Sequence, residues 1–369
     1  MLKKLRINGL ILFNPFVVNN FDGACVMIYL LTFHYPKNYG AFLQSYVMRK
    51  CLDGTLIDFV PDYTFKVSPR GKRKLPFFWR FFALFRKYQA WCKNFPEYSR
   101  LTKRKKMAKL FNSNLRNVVF VVGSDQVWNP YHCVNLSKNL YFLDFAPEGA
   151  RRISYAASLG VKSWPKPFEE RVLPMLKKFD AISVREESSV PYLTSLGLKN
   201  VVCVCDPTIL HTGNFYRNEF PYEKCGSEFT FIYRIREEIP ESVRSIFCKE
   251  VKEVHLQKRR TIVSVTEWLR NIDCAKFVIT DSFHCAVFCI LFHKPFLVIP
   301  NRSTGKGMNE RFSTLLGKTG LEYRCLTCEE SRDEVLQKLN ASIDWEKVDA
   351  ILEEWRSYSA NWLKNALGE

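Results

Sequence analysis

The chain has 369 residues, of which 47% are hydrophobic and 25% are charged. These proportions are typical of a folded globular protein and exclude a disordered chain and a multi-span membrane protein, while the length predicts two domains. The 55 Lys and Arg residues outnumber the 37 Asp and Glu residues and give a net charge of +18. That charge favours an anionic partner, which can be a phosphorylated substrate, an anionic lipid surface or nucleic acid.

Residues 1–26 precede the first clear strand–helix pattern, which begins at Met27. The apolar stretch from Ile7 to Val18 is interrupted by Asn, Gly and Pro and falls short of the about 20 residues that a membrane span needs. We therefore predict no export signal and no transmembrane helix. The expected location is cytoplasmic, either free or peripheral on the cytoplasmic face of the membrane. An extra amino-terminal segment is our interpretation of residues 1–26, and an added first strand is the alternative.

From Met27 onward, short apolar strands alternate with helices, a pattern that predicts a parallel sheet covered by helices on both faces. The predicted strands are Met27–Thr32, Thr55–Phe59, Val118–Val122, Arg152–Ala156, Ala181–Val184 and Val201–Val204. The predicted helices are Ala41–Leu52, Glu169–Lys178 and Ser188–Leu196, the last of which is followed by Gly197 as a terminating glycine. We assign residues 27–212 to an amino-terminal Rossmann-like, doubly wound domain.

A second α/β series covers residues 213–340, after a boundary within 212–226 that contains two glycines and a proline. Its predicted strands are Phe229–Tyr233, Glu253–Leu256, Phe277–Ile279 and Phe296–Ile299. Its predicted helices are Val265–Ile272, Cys285–Phe292 and Arg311–Gly317. Residues 341–369 contain a closing helix, Trp345–Ala366, whose spare apolar residues suit packing back on the first domain.

An insertion at about 66–112 interrupts the first series with aromatic and basic residues mixed together. It contains Phe77, Phe78, Trp79, Phe81, Phe82, Phe85 and Trp91, with a later run from Lys103 to Lys106. Such a mixture suits an interfacial helix on an anionic membrane or a single-stranded nucleic-acid surface. A helical insertion that packs its aromatics on the sheet explains the same pattern.

The thirteen cysteines are scattered along the chain and many lie in apolar runs, which favours buried reduced thiols over disulfides. The one CxxC, Cys325 to Cys328, has no second pair and no nearby His cluster, so a zinc site would lack ligands. We predict no metal and no cofactor.

Ligands of doubly wound sheets bind beyond the carboxyl ends of the strands, so polar loops at those ends are the candidate sites. The first such loop contains Asn38, Tyr39 and Gly40, whose backbone N–H groups could meet an anion at the start of a helix. The second follows Val122 and presents a set of residues suited to binding a sugar: Gly123, Ser124, Asp125, Gln126 and Trp128. A helix cap with a core tryptophan is the structural alternative for this second loop.

The third loop places Arg185 at a strand end, where it could clamp a carboxylate or phosphate, or form salt bridges within the Arg-Glu-Glu run. The fourth contains Asp281, Ser282 and His284 between a strand and a helix. Helix dipole, hydroxyl and imidazole converge there, which suits acid–base chemistry. A buried structural histidine is the alternative for His284.

The chain contains none of the nucleotide-binding or hydrolase motifs GxxxxGK[ST], GxSxG, HExxH or GxGxxG. Instead, an ordered set of segments from Met27 to about Tyr323 resembles the polysaccharide pyruvyl transferase family. The segments are Leu31–His34, Asn38–Ala41 with Gln44, Gly123–Asn129, Ser183–Glu186, Cys205–Thr208, Val265 with Glu267–Leu269, Thr280–His284, Lys294–Phe296 and Asn309–Phe312.

The resemblance implies two Rossmann-like domains facing a cleft, as in GT-B glycosyltransferases, and transfer of a pyruvyl group from phosphoenolpyruvate to a sugar of a bacterial surface polysaccharide or its lipid-linked precursor. One departure is visible: members of the family often carry Ser-Arg-x-His, whereas this chain has Ser282-Phe283-His284. The donor phosphate would then have to be held by Arg185, Arg234 or Arg311.

Ketal formation needs a proton donor, anion-binding cations and a base. We assign the first role to His284, which is the candidate general acid or phosphate contact. Asp125 or Asp281 would accept the proton of the sugar hydroxyl, and Trp128 would form the floor of the sugar site. Lys294, together with the arginines, would hold the phosphate and carboxylate, and closure of the cleft would exclude water.

Two other functions share parts of this pattern. A GT-B glycosyltransferase would use the same architecture with a nucleotide sugar as donor. A non-catalytic protein that binds anions or nucleic acid would explain the positive charge, although nucleic acid is not the partner that we expect.

Overall fold

Two separate parallel sheets form the frame of the protein in the computed structural model. The structure describes residues 4–7, 10–13, 18–19, 25–34, 38–58, 99–100, 117–132, 139–223, 228–258, 261–302 and 309–368. Apart from Ser99 and Arg100, the basic and aromatic insertion predicted at 66–112 lies outside these residues.

The first sheet has the strand order β10-β9-β8-β7-β4-β5-β6, and every neighbouring pair along this order is parallel. A short strand, β3, pairs antiparallel with β4, and β1 and β2 form a separate antiparallel pair. The strands are β1 Lys4–Ile7, β2 Leu10–Phe13, β3 Val18–Asn19, β4 Cys25–Leu31, β5 Thr55–Asp58, β6 Ser99–Arg100, β7 Val118–Val122, β8 Arg151–Ala157, β9 Ala181–Val184 and β10 Val202–Cys203.

The second sheet has four parallel strands in the order β12-β11-β13-β14. They are β11 Thr230–Arg234, β12 Val251–His255, β13 Phe277–Thr280 and β14 Phe296–Val298. Its central strands β11 and β13 are buried along their whole length, as expected for parallel strands covered on both faces.

Ten α-helices and three short 3₁₀ turns connect and cover the two sheets within the described residues. The helices are α1 Tyr39–Leu52, α2 Lys166–Leu176, α3 Ser189–Ser195, α4 Gly213–Glu219, α5 Glu241–Arg244, α6 Val265–Cys274, α7 Phe283–Leu291, α8 Glu310–Thr319, α9 Arg332–Asn340 and α10 Trp345–Leu367. The 3₁₀ turns are Leu140–Phe142, Pro207–Ile209 and Glu322–Arg324.

Side-chain caps explain where the helices nearest the sheet edges begin. The Asn38 side chain accepts hydrogen bonds from the first turn of α1, and the Ser264 and Ser282 side chains do the same for α6 and α7. Gly197 follows α3 with a φ of +83°, as the predicted terminating glycine requires. The predicted α/β class with parallel sheets is confirmed, and the predicted strands and helices differ from the observed ones by a few residues at their ends.

Buried apolar side chains from both sheets join in one cluster, which we call the shared core. It contains Val121 and Ile153 from the first sheet and Phe231 and Val278 from the second. Two smaller clusters cover the outer faces of the first and the second sheet, respectively. The two sheets are therefore joined by packed side chains as well as by the chain itself.

The carboxyl-terminal helix α10 contacts the first sheet and its loops. Its Ser359 hydroxyl accepts a hydrogen bond from the Cys205 N–H, and the Arg151 side chain donates to the Leu367 carbonyl at 2.8 Å. Trp355 and Leu363 of the same helix lie in the shared core. The described helices include none with the length and apolarity needed to cross a bilayer. The domain limits at 212 and 340 stay predictions.

Candidate active site

The polar loops at the carboxyl ends of the first sheet are tied together by hydrogen bonds. The Gly123 N–H donates to the Leu31 carbonyl at 3.1 Å, and the Thr32 hydroxyl donates to the Ser124 carbonyl at 2.9 Å. Gly123 has a φ of +108°, and a Cβ atom there would lie 2.2 Å from the Tyr155 carbonyl oxygen, so this turn requires glycine. The loops after β4 and β7 are thus fixed against each other.

Asp206 is the residue on which the loops of both sheets converge. Its Oδ2 accepts a hydrogen bond from Arg185 Nη1 at 2.8 Å and lies 3.0 Å from Ser124 Oγ and 3.5 Å from His284 Nε2. Its Oδ1 accepts from the Thr208 N–H and hydroxyl at 3.0 and 2.7 Å. Burial would raise the pKa of Asp206, but His284 and Arg185 hold it well below its usual range. Asp206 is therefore a buried carboxylate anion.

Arg185 is almost fully buried and is surrounded by carboxylates. Besides Asp206, its guanidinium lies 3.4 Å from Asp125 Oδ1 and 3.5 Å from Glu186 Oε1. Burial lowers the pKa of Arg185, but the three carboxylates outweigh this effect and raise it above its usual value. Arg185 thus forms salt bridges both within the Arg-Glu-Glu run and to Asp125 and Asp206, and its predicted role as a clamp on a ligand stays a prediction.

His284 lies at the start of α7 and is closed in on two sides. Its Nε2 faces Asp206, while its Nδ1 side packs against Gly40 at the start of α1. A Cβ atom on residue 40 would lie 2.0 Å from Nδ1, so only glycine allows the imidazole to occupy this place. The two candidates Gly40 and His284, which belong to different sheets, are brought into contact.

Asp125 retains an oxygen that can accept a proton. It has a positive φ of 66° and is mostly buried, and Arg185 Nη2 contacts its Oδ1. No other described residue donates a hydrogen bond to this carboxylate. Gln126, the next residue, has a buried Nε2 without a hydrogen-bond partner in the described part of the chain. Both predicted residues have the polar groups needed to meet a ligand.

Asp281 cannot serve as the predicted base in this arrangement. Its carboxylate accepts hydrogen bonds from the backbone N–H groups of Ile235, Arg236 and Glu237 at 2.6, 2.7 and 2.8 Å. A carboxylate that accepts from three consecutive backbone N–H groups anchors the loop after β11. Its neighbour Ser282 caps α7 through a hydrogen bond from the Cys285 N–H, and Asn38 caps α1.

Three predicted binding residues lie apart from Asp206 or have their side chains engaged within the protein. Lys294 precedes β14 and therefore lies at the amino edge of the second sheet, opposite the site. Arg234 is occupied by Glu253 Oε1 at 2.7 Å and Glu238 Oε2 at 2.9 Å. The buried Tyr39 ring stacks on Trp268 with centroids 5.0 Å apart, and this contact joins α1 to the second sheet.

Trp128 is a core residue, so the structure corrects its assignment as the floor of a sugar site. The side chain is fully buried, its indole N–H donates to the Tyr141 carbonyl at 2.9 Å, and its ring stacks on Phe142. No face of the ring is open to a sugar. This is the structural alternative that the sequence had left open.

Replacing Trp128 by phenylalanine should therefore lower stability and spare ligand binding. Loss of the indole and of the hydrogen bond to the Tyr141 carbonyl should cost about 1–3 kcal/mol, to be measured by urea unfolding. A sugar platform would give the opposite pattern, with near wild-type unfolding and weakened binding of the acceptor.

Arg311, in the first turn of α8, differs from the other cations of the site. Its Nε is buried without a hydrogen-bond partner, and no described residue forms an ion pair with it. Burial and the Arg185 guanidinium lower the pKa of Arg311 to about 10, so it stays charged at neutral pH. Of the predicted cations, it is the one whose guanidinium is left for a ligand.

Two residues at the site were missed by the sequence analysis. Asp206 stood in a quoted segment but was given no role, because its contacts come from distant parts of the chain. His132 interacts electrostatically with Asp125 and Arg311, and burial lowers its pKa to about 4, so it is neutral at physiological pH. Its position shortly after the Gly123–Asn129 segment was the available signal. No group of three potential metal ligands was found among the described residues.

The fold belongs to the class of two Rossmann-like domains found in GT-B glycosyltransferases and sugar-nucleotide epimerases. UDP-N-acetylglucosamine 2-epimerase from Rickettsia bellii has a TM-score of 0.51 and 11% identity, covering 92% of this chain and 95% of that chain. A putative UDP-N-acetylglucosamine 2-epimerase from Listeria monocytogenes has a TM-score of 0.51 and 10% identity, covering 92% of this chain and 94% of that chain. S. aureus MnaA, solved with UDP, has a TM-score of 0.50 and 12% identity, covering 93% of this chain and 97% of that chain.

Sequence comparison assigns the family. Residues 38–303 match the family described as polysaccharide pyruvyl transferase. This range includes the loops that contain Gly40, Asp125, Asp206 and His284. The chain therefore belongs to the polysaccharide pyruvyl transferase family. Comparison with curated proteins finds no match.

Proposed function

We propose that this protein transfers a pyruvyl group from phosphoenolpyruvate to a sugar of a bacterial cell-surface polysaccharide or of its lipid-linked precursor. The observation that supports this most directly is the position of His284 Nε2, 3.5 Å from the buried Asp206 carboxylate, at a site where Arg311 has no ion-pair partner among the described residues. An imidazole held by a carboxylate can exchange a proton, and a guanidinium without a partner can hold an anionic donor. Membership of the family supports the transferred group.

The reaction joins one donor to two hydroxyl groups of the sugar. Protonation of the donor methylene carbon makes it a methyl group and leaves C2 electron-deficient, so that one sugar oxygen bonds to C2 and loses its proton. The C2–O bond to phosphate then breaks with its electron pair going to phosphate. The second hydroxyl bonds to C2 and gives up its proton, so that one of the two released protons replaces the proton consumed and the other leaves with phosphate.

The side chains of the site divide these tasks according to their contacts. His284, with Nε2 3.5 Å from Asp206 and Nδ1 on the side of Gly40, is the imidazole of the site that is suited to deliver the proton. Asp125, with one oxygen free of described donors, is suited to receive the proton of the sugar hydroxyl. Gln126 Nε2 can donate a hydrogen bond to the acceptor. This scheme uses no metal and no cofactor.

Isothermal titration of phosphoenolpyruvate into wild type and His284→Ala tests the donor. Binding to wild type that weakens at least about tenfold in the variant would support the proposal, since a lost hydrogen bond to a charged group is worth about 1.5–3 kcal/mol. His293→Ala is the matched control, because His293 lies just beyond the other end of α7 and is exposed. It should bind the donor like wild type.

UDP is the control ligand, since the fold also occurs in enzymes of UDP sugars. Binding of UDP without any binding of phosphoenolpyruvate would replace this proposal by a nucleotide-sugar transferase. Release of inorganic phosphate from phosphoenolpyruvate on addition of an acceptor sugar would complete the test of the transfer step.

A further inference from the structure

Arg311 is a charged group without an ion-pair partner among the described residues. It is only partly exposed, its Nε is buried without a hydrogen-bond partner, and its guanidinium lies near the Phe283 and Phe312 rings. A guanidinium removed from water in this way normally has a carboxylate or phosphate partner. The protein alone does not provide that partner among its described residues.

Asp125, Glu186 and Asp281 interact electrostatically with Arg311, but none forms an ion pair with it among the described contacts. Asp125 faces Arg185 through Oδ1 at 3.4 Å. Asp206 is held by Arg185 and faces His284, and Asp281 accepts three backbone N–H groups. Glu186 accepts a hydrogen bond from the Ser158 hydroxyl and faces Arg185. The charge of Arg311 is therefore available to an incoming anion.

Phe283 lies beside this cation, as does Phe312, whose ring centroid is 5.7 Å from Arg311 Cζ. Its ring centroid lies 4.6 Å from Arg185 Cζ and 6.0 Å from Arg311 Cζ, so one ring contacts both guanidinium groups. The same ring meets the His284 ring edge-on with centroids 5.2 Å apart. Phe283 thus links the paired arginine, the unpaired arginine and the histidine, and its π face attracts both cations.

We propose that Arg311 is the receptor for an anionic oxygen group of the substrate, a carboxylate or a phosphate, and that Phe283 is the positioning residue that aims it. That this anion belongs to phosphoenolpyruvate rests on the proposed function, whereas the anion-receptor role of Arg311 does not. The ring contacts of Phe283 with Arg185, Arg311 and His284 place the unpaired Arg311 next to the residues around Asp206.

The experiment measures affinity for three probes by isothermal titration: phosphoenolpyruvate, inorganic phosphate and pyruvate. Arg311→Met should weaken the affinity for phosphoenolpyruvate about 10- to 100-fold, and Arg311→Lys should fall between, because lysine keeps the charge without the planar fork. Phe283→Leu should weaken it about three- to tenfold, while Phe283→Tyr, which keeps the ring, should restore it. If Arg311→Met loses affinity for inorganic phosphate, Arg311 binds the phosphate of the donor. If it loses affinity for pyruvate, Arg311 binds the carboxylate.

Lys318→Met is the matched control, because Lys318 lies on the same helix and its charge is paired with Glu187 at 2.5 Å. It should bind all three probes like wild type, and circular dichroism should show that every variant is folded.

If wild type binds phosphoenolpyruvate and Arg311→Met binds it equally well, the inference is overturned and the proposed function stands. If wild type binds phosphate but not phosphoenolpyruvate, and Arg311→Met loses the phosphate, the inference stands and the proposed donor is wrong. No binding of any probe by wild type overturns both.

Discussion

Replacement of Gly40 by alanine is expected to reduce turnover about 100-fold or more, because it displaces His284. The new methyl group would lie 2.0 Å from His284 Nδ1 and 2.2 Å from Cγ, and Asp206 blocks retreat of the ring on its other side. Misplacement of a catalytic group by about 1 Å can cost that factor, and the forced overpacking should cost a further about 1–3 kcal/mol of stability. Phosphate release from phosphoenolpyruvate and urea unfolding measure the two effects.

Gly317→Ala is the control for this substitution. Gly317 lies in α8, where an added Cβ would have as its nearest neighbour Glu322 Oε1 at 3.8 Å. Alanine there should raise stability by about 0.5–1 kcal/mol and leave turnover unchanged. Wild-type turnover in Gly40→Ala would contradict the assignment of His284 as the proton donor.

Asp206→Asn is expected to be the most destabilising substitution in the site. It removes the carboxylate charge that compensates buried Arg185 at 2.8 Å and faces buried His284 at 3.5 Å. Breaking a buried pair by removing one partner typically costs about 3–5 kcal/mol, and Asp125 and Glu186 retain only part of the compensation for Arg185. Urea unfolding at neutral pH measures the loss.

The same variant has a pH dependence of defined sign. The folded-state pKa of Asp206 is lowered, so its stabilisation is complete above the unfolded value of about 4 and is lost as the pH falls through the folded value. The difference in stability between wild type and Asp206→Asn should therefore shrink on acidification below about pH 4. A difference that stays constant from neutral pH to about pH 3 would contradict this.

Asp349→Asn is the matched control for this charge change. Asp349 is half-exposed and pairs with His293 at 3.0 Å on the surface, so its loss should cost less than about 1 kcal/mol. If Asp349→Asn and Asp206→Asn lowered the free energy of unfolding equally, burial of Asp206 would contribute nothing to stability.

The sequence predicts the strands and helices well because their signals are local. Alternation of apolar runs with capped helices places β7 and β9 at their observed bounds, and Asn38 and Ser282 are caps that can be read directly. The strand-end rule likewise selects the loops of Gly123 and His284. Applied strictly, the same rule would have excluded Lys294, which precedes its strand.

The parts of the site that could not be predicted depend on contacts between residues far apart in the chain. Asp206 acquires its importance from Ser124, Arg185 and His284, which belong to three other loops. The role of Asp281 is decided by backbone N–H groups after β11, which no side-chain pattern reveals. The sequence around Trp128 is the same whether its ring contacts a sugar or packs in the core. Only its burial in the structure distinguishes the two roles.

The shared core limits how this enzyme can admit its substrates. Chains with two Rossmann-like domains often open by hinge bending, but large apolar contacts between domains oppose such motion. Here opening as rigid bodies would have to separate the Tyr39 ring from Trp268 and withdraw Gly40 from His284, exposing apolar surface to water. We therefore expect substrate entry to depend on local rearrangement of loops, and turnover to respond more to loop mobility than to interdomain hinge bending.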